Sequence, residues 1–176
     1  SGALGITTTG PVSGTTGDGI YARNYGTDLT ISAVNVSGGN YGIFARNDGS
    51  GALSITAAGQ VTGSRSGNAI EAKNFGTDLS ISTTDINGRI GRIDGRNYGS
   101  GNLTIDSVGQ AAEIYAHNGS ASTNLVINSV DATTDIFSWN LGSGHTKITS
   151  TGYAKEIFAV HCFAPAVCYG TDLSIG

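Results

Sequence analysis

Methionine is absent, proline occurs twice, tryptophan once, and charged residues make up only 12% of the 176 positions, about half the usual share of ~25%. So little charge leaves no solvated face for an amphipathic helix, and no segment repeats its apolar residues at helical spacing. An ordinary helical bundle is excluded. No run approaches the ~18 apolar residues of a membrane-spanning helix, so membrane insertion of this segment is not expected. Ser1 begins no charged and apolar leader, and the chain reads as a processed or excised segment. Nine Lys and Arg stand against thirteen Asp and Glu, a net charge of −4. That argues against nucleic acid as principal partner, because phosphate binding depends on a cationic surface. The two cysteines, Cys162 and Cys168, lie close together and point to one local disulfide formed in an oxidising compartment.

What the chain has in abundance is glycine, 28 residues without the every-third spacing of collagen, among 38% apolar residues. The apolar residues are too regularly placed for a disordered linker. A pentad of the form Ile-x-small-x-Asn recurs: Ile20–Asn24, Ile43–Asn47, Ile70–Asn74, Ile93–Asn97, Ile114–Asn118, Ile136–Asn140 and, with histidine last, Ile157–His161. A second element, Leu-x-Ile, follows each turn: Leu4/Ile6, Leu29/Ile31, Leu53/Ile55, Leu79/Ile81, Leu103/Ile105, Leu125/Ile127, Thr146/Ile148 without its leucine, and Leu173/Ile175. A third, Val12, Val36, Val61 and Ile86, fades in later copies. The mean period of about 23 residues is that of a solenoid, and apolar residues alternate with polar ones inside each element, as in half-buried strands. The spacing predicts an all-β protein, a single right-handed parallel β-helix over residues 1–176, with about seven coils of ~23 residues and three short strands per coil. Solenoid ends expose backbone edges, so end-to-end self-association of copies is expected to be open to it.

In that register the isoleucines stack inside. The asparagines Asn24, Asn47, Asn74, Asn97, Asn118 and Asn140 form a structural ladder at the bend, where amides bond their neighbours above and below. The outward column just before them holds Arg23, Arg46, Lys73 and Arg96, then His117, Trp139 and Val160, with Arg89 and Arg92 nearby. Two readings fit. The cations pair with Tyr21, Phe44, Glu71 and Asp94 as a solvated salt-bridge and cation–π ladder, or they form a cationic ridge for a sulfated glycan or an acidic patch on a protein receptor.

Catalysis is weighed against the same columns. Glu71 and Asp94 fall on successive coils, roughly 5 Å apart, the separation of a retaining glycosidase pair. Basic residues on the same strands favour a salt-bridge ladder and deny the pair its general acid. Asp28, Asp78 and Asp172 recur in Gly-Thr-Asp-Leu turns, where Asp is chosen to bond local backbone, and they form no calcium cluster. His117, His145 and His161 have no nucleophile elbow beside them. The glycines form no phosphate loop, and Asp94-Gly95-Arg96 only reverses an integrin motif. No enzyme activity, metal or cofactor is expected.

Near the end, Ala166–Leu173 matches Ala22–Leu29 seven residues late. The insertion makes 162–168 a disulfide-closed loop, either a local staple or an apolar recognition knob through Phe163, Pro165 and Val167.

The phrases at 19–32 and 51–63, Gly-Ile-Tyr-Ala-Arg-Asn-Tyr-Gly-Thr-Asp-Leu-Thr-Ile-Ser and Gly-Ala-Leu-Ser-Ile-Thr-Ala-Ala-Gly-Gln-Val-Thr-Gly, resemble passenger domains of Gram-negative autotransporters, the substrates of type V secretion. The two-cysteine loop is similar to one seen in many of them, and the resemblance is nearest to the Bartonella angiogenic factor (BafA) family. It covers essentially the whole chain. It implies a β-helix secreted or displayed at the bacterial surface, a virulence factor binding a host-cell receptor, with a vascular endothelial growth factor receptor as the proangiogenic target. The alternatives are an adhesin for extracellular matrix or sulfated glycans, and a β-helix polysaccharide lyase or hydrolase.

Overall fold

The computed structural model describes residues 2–64, 67–88, 91–152, 154–163 and 167–169, with backbone alone at 87, 88, 131–134, 163 and 167–169. The strands are β1 (Leu4–Thr7), β2 (Val12–Gly14), β3 (Ile20–Asn24), β4 (Leu29–Ala33), β5 (Val36–Gly38), β6 (Ile43–Asn47), β7 (Leu53–Gly63), β8 (Ile70–Asn74), β9 (Leu79–Gly88), β10 (Arg92–Asn97), β11 (Leu103–Asn118), β12 (Leu125–Asn140), β13 (Thr146–Ser150), β14 (Glu156–Phe163) and β15 (Val167–Tyr169). The chain is all-β, and every pairing but one is parallel, each strand lying on its counterpart one coil away. This is a β-solenoid with three walls. Wall 1 carries Leu-x-Ile, wall 2 the valines, and wall 3 the Ile-x-small-x-Asn pentads.

Walls 1 and 3 each hold seven rungs, from Leu4 to Thr146 and from Ile20 to Ile157. Seven rungs enclose about six turns, one fewer than the repeat count predicts, because each turn closes on the next rung. At ~4.8 Å per step the stack rises about 29 Å. The three short strands per coil hold only for the first two coils. From β7 onward wall 1 runs into wall 2 without a break, and β11 and β12 continue through all three walls. Their corners are taken by register shifts at Ala57/Gln60, Ser107/Gln110 and Ala111/Glu113, the first two containing Gly59 and Gly109. A bulge bends a strand while keeping its flanks paired.

The core is one cluster of inward columns. Leu29, Leu53, Leu79, Leu103 and Leu125 are at most 1% exposed, as are Ile43, Ile70, Ile93, Ile114 and Ile136. Each such side chain contributes roughly 1.5–3 kcal/mol. Where the leucine is missing, Thr146 occupies its place, buried, with no partner for its hydroxyl. Wall 2 shrinks from valine to Ala111 in β11, which is why its repeat fades in the sequence.

At the bend after wall 3 the asparagines do what the ladder reading predicts. Each amide donates to the next coil's Asn oxygen, Asn24 to Asn47 at 3.0 Å, Asn47 to Asn74 at 3.0 Å, Asn74 to Asn97 at 3.1 Å and Asn118 to Asn140 at 3.1 Å. The same amides donate to turn carbonyls, and their oxygens accept glycine N–H groups two residues on. The step from Asn97 to Asn118 is missing. The turn after Asn118 is one residue longer than the turn after Asn97, Ser122 donates instead to the carbonyls of Asn97 and Gly99, and Asn118 Oδ1 is buried without a partner. Asp28 and Asp78 depart from expectation. They accept N–H groups of Ala52 and Asn102, one coil away, at 2.8 and 2.7 Å, because stacking brings that backbone as close as their own turn.

In the last coil the chain reverses, and β15 pairs antiparallel with β14, His161 opposite Tyr169 and Cys162 opposite Cys168. A hairpin needs little loop closure and satisfies the free edge of β14 locally. The expected disulfide falls on Cys168, whose side chain lies outside the described residues, as do Arg89, Asp172, Leu173/Ile175 and the side chains of Phe163, Pro165 and Val167.

The turn glycines are required by stacking. A Cβ on Gly76 would stand 2.0 Å from the Gly51 carbonyl oxygen, and one on Gly99 2.2 Å from that of Gly76, whereas among the described residues the left-handed backbone belongs to Gly91, with φ 38°. Gly76→Ala is therefore expected to cost about 1–3 kcal/mol in chemical denaturation, with Gly17→Ala, in open space, near neutral. Asn74→Ala removes the donor to the Thr77 and Asp78 carbonyls and the buried amide partner of Asn47 and Asn97, and is expected to cost at least about 1–3 kcal/mol in the same assay.

Candidate recognition surface

Polar and aromatic chemistry is divided unevenly among the walls. Facing outward on wall 1 are Thr30 and Ser32, Ser54 and Thr56, Ser80 and Ser82, small hydroxyls in register. Wall 3 is different. All ten aromatic side chains that the structure describes lie on it or in its flanking turns, because the pentad's second and fourth residues and the residue after Asn point outward there. Tyr21, Tyr25, Phe75 and Phe158 are 62%, 66%, 43% and 44% exposed.

The predicted cation column exists. Register places Arg23 beside Arg46, Arg46 beside Lys73, Lys73 beside Arg96, and Arg96 beside His117. Each cation is already engaged. Asp48 accepts from Arg23 at 2.9 Å and Arg46 at 2.8 Å, Glu71 from Lys73 at 2.6 Å, and Asp94 from Arg96 at 2.7 Å. Arg92 lies between Asp94 and Glu113, at 3.6 and 3.5 Å. Rings complete the pairing, with Arg23 over Tyr25 at 4.6 Å, Arg46 over Phe75 at 4.8 Å and Arg92 over Tyr115 at 4.8 Å. The geometry is that of the salt-bridge and cation–π ladder, with different partners from those expected for Arg23 and Arg46. Burial opposes the charge on Asp48, but hydrogen bonds from Arg46 and Arg23 hold its carboxyl below the usual range. The Asp94 hydrogen bond raises the Arg96 guanidinium further.

Glu71 and Asp94 are neighbours in register, as a glycosidase pair would be. They are 8% and 2% exposed, and each is engaged by cations, so neither faces a cleft that a sugar could enter. The concavity lined by Pro11, Asn35 and Gln60 lies on wall 2 and holds no carboxylate.

Further along wall 3 the pattern changes. The cation column becomes His117, Trp139 and Val160, while the column two residues before it becomes Tyr115, Phe137 and Phe158. These rings pack together, Tyr115–Trp139 at 4.9 Å and Trp139–Phe158 at 5.7 Å between centroids. A third column, Glu113, Asp135 and Glu156, borders them in register. Reading the pentads alone misses it, along with Asp48, Tyr25, Phe75 and Tyr98. Extending the register by one residue at each end of the pentad finds all of them. Among the described residues no three His, Cys, Asp or Glu are grouped so as to hold a metal ion.

His117 sits between Arg96 and Trp139, its ring 5.6 Å from Tyr98. Burial and then the Arg96 charge lower its pKa from 6.5, against the opposing pull of Asp94. Above pH 6.5 the group is neutral folded and unfolded, and stability is unaffected. As pH falls below 6.5 the unfolded chain takes the proton first, so stability declines until the folded pKa is passed. Melting temperature is therefore expected to fall more between pH 7.5 and 5.5 in the parent chain than in His117→Gln.

Comparison with protein-family models, with curated proteins and with solved structures returned no significant match to this chain.

Proposed function

We propose that this chain is a non-enzymatic, extracellular recognition module that binds a protein receptor through wall 3. The observation that carries the reading is the segregation of every described aromatic side chain, and of Arg23, Arg46, Lys73, Arg92 and Arg96, to one of three walls. A solenoid needs no rings outside to fold, and exposed aromatics with arginines are what protein interfaces concentrate. Charge favours protein over polyanion as occupant. On the same wall and its edge the six carboxylates Asp48, Glu71, Asp94, Glu113, Asp135 and Glu156 balance the five cations and Lys155, so a sulfated glycan meets no net positive field. Arg89, outside the described residues, is retained as a candidate contact from the sequence alone.

The resemblance to autotransporter passengers supplies the setting. The module is exported, secreted or held at a bacterial surface, with Cys162 and Cys168 bonded in that oxidising space, and its receptor is on host cells, a vascular endothelial growth factor receptor being the implied target. The register that sets the two cysteines opposite one another supports the bond.

Labelled chain binding to cultured endothelial cells tests the reading. The triple variant Tyr25→Ser, Phe75→Ser, Phe158→Ser is expected to lose at least tenfold in apparent affinity, and the wall 1 variant Thr30→Lys, Ser54→Lys, Ser80→Lys to bind as the parent. Loss confined to the wall 1 variant, or equal binding by both, removes wall 3 as the receptor surface.

A further inference from the structure

Wall 3 uses one recipe along its first rungs: a carboxylate, a ring, and a cation of the chain's own that satisfies both. Asp48 serves Arg23 and Arg46, Glu71 serves Lys73, Asp94 serves Arg96, and the guanidinium groups lie on Tyr25, Phe75 and Tyr115. From Glu113 onward the carboxylates and rings continue but the stacked columns hold no further Lys or Arg, and Lys155, exposed just before Glu156, makes no ion pair among the described residues. Asp135 and Glu156 have no ion pair among the described residues, Asp135 Oδ1 is buried without a hydrogen-bond partner, and no cation lies over Phe137, Trp139 or Phe158. Glu113 has only Arg92, at 3.5 Å. Stacked at ~4.8 Å, these acidic groups repel one another, a cost the earlier rungs avoid by interposing cations.

We propose that the missing cations come from the partner: the acidic border of Asp135 and Glu156 with the rings of Phe137, Trp139 and Phe158 takes a basic segment of a protein, its Lys or Arg side chains seated on the rings with their charges at the carboxylates. This rests on wall 3 being the receptor surface and deepens it. The contact lies at the later rungs, where charge and ring faces are unspent, and the Arg23–Arg46–Lys73 column is a self-contained brace. Cation–π contact and a carboxylate act on the same guanidinium, so the site selects arginine-bearing protein segments and rejects acidic glycans.

Trp139 is the single tryptophan of the chain, so its fluorescence reads this site alone. Titration with a capped hexapeptide of alternating Arg and Ser is expected to shift that emission saturably, with the Glu–Ser peptide and heparin silent. Asp135→Asn with Glu156→Gln should raise the midpoint at least fivefold and flatten its salt dependence. The wall 1 variant Thr30→Lys, Ser54→Lys, Ser80→Lys should leave it within twofold. An unchanged midpoint in the first variant, or a response to heparin or the Glu–Ser peptide, overturns the proposal. Should the acidic double variant lose its strand circular dichroism, Phe158→Ser takes its place under the same criterion. Endothelial-cell binding separates the two readings. If the aromatic triple variant loses cell binding and Asp135→Asn/Glu156→Gln does not, the basic-segment site fails and the wall stands. If the peptide results hold while the aromatic triple variant binds cells normally, the wall as receptor surface fails alone.

Discussion

Everything in this molecule follows from one requirement: each residue must tolerate its own counterpart about one strand spacing above and below it. Parallel in-register pairing imposes this on every column. Aliphatic side chains meet it by packing, and the buried leucines and isoleucines of walls 1 and 3 form one cluster that runs from rung to rung. Amides meet it because they carry both donor and acceptor, so an asparagine satisfies the next asparagine and still has hydrogens for the turn. Glycine meets it where backbones come so close that no Cβ fits. Like charges do not meet it, and outside the core the chain has to solve that problem rung by rung.

The solution along the first rungs is interposition. Asp48 lies one step past the Asn ladder, in the position that Tyr25, Phe75 and Tyr98 occupy on other coils, and from there reaches Arg23 on the coil before and Arg46 on its own. Glu71 and Asp94 replace rings in the column beside the cations and are shielded almost completely. The exposed parts of these bridges contribute little to stability individually. Their effect is to make a column of four cations compatible with stacking, so a basic stripe in a repeat sequence is weak evidence for a polyanion site until its partners are located.

Much of the architecture was readable because the repeat is nearly perfect where it faces inward. The pentads predict wall 3, the Asn ladder and the Ile columns residue by residue, and the Leu-x-Ile pairs predict wall 1. Wall 2 was read only as far as Ile86, since alanine at 111 and 132 carries no apolar signal against its neighbours. The surface was less legible. Asp48, Glu113, Asp135 and Glu156 carry no repeat signal, because outward columns are not held to one residue type. The hairpin at β15 was hidden by a repeat phrase that matches well in sequence but sits where the inserted residues allow the chain to turn back.

The gap in the amide ladder between Asn97 and Asn118 bears on how the two halves of wall 3 came to differ. An unpartnered buried oxygen costs about 1–3 kcal/mol, yet the backbone pairing across that step is unbroken, with six residues of β10 in register on β11. Strand β11, sixteen residues long, is paired on all three walls, so the loss of one side-chain bond is carried by its neighbours. In a solenoid each coil answers chiefly to the coils next to it. The outward columns on either side of this step therefore need not agree, and it is here that a self-neutralised ionic face gives way to an acidic and aromatic one.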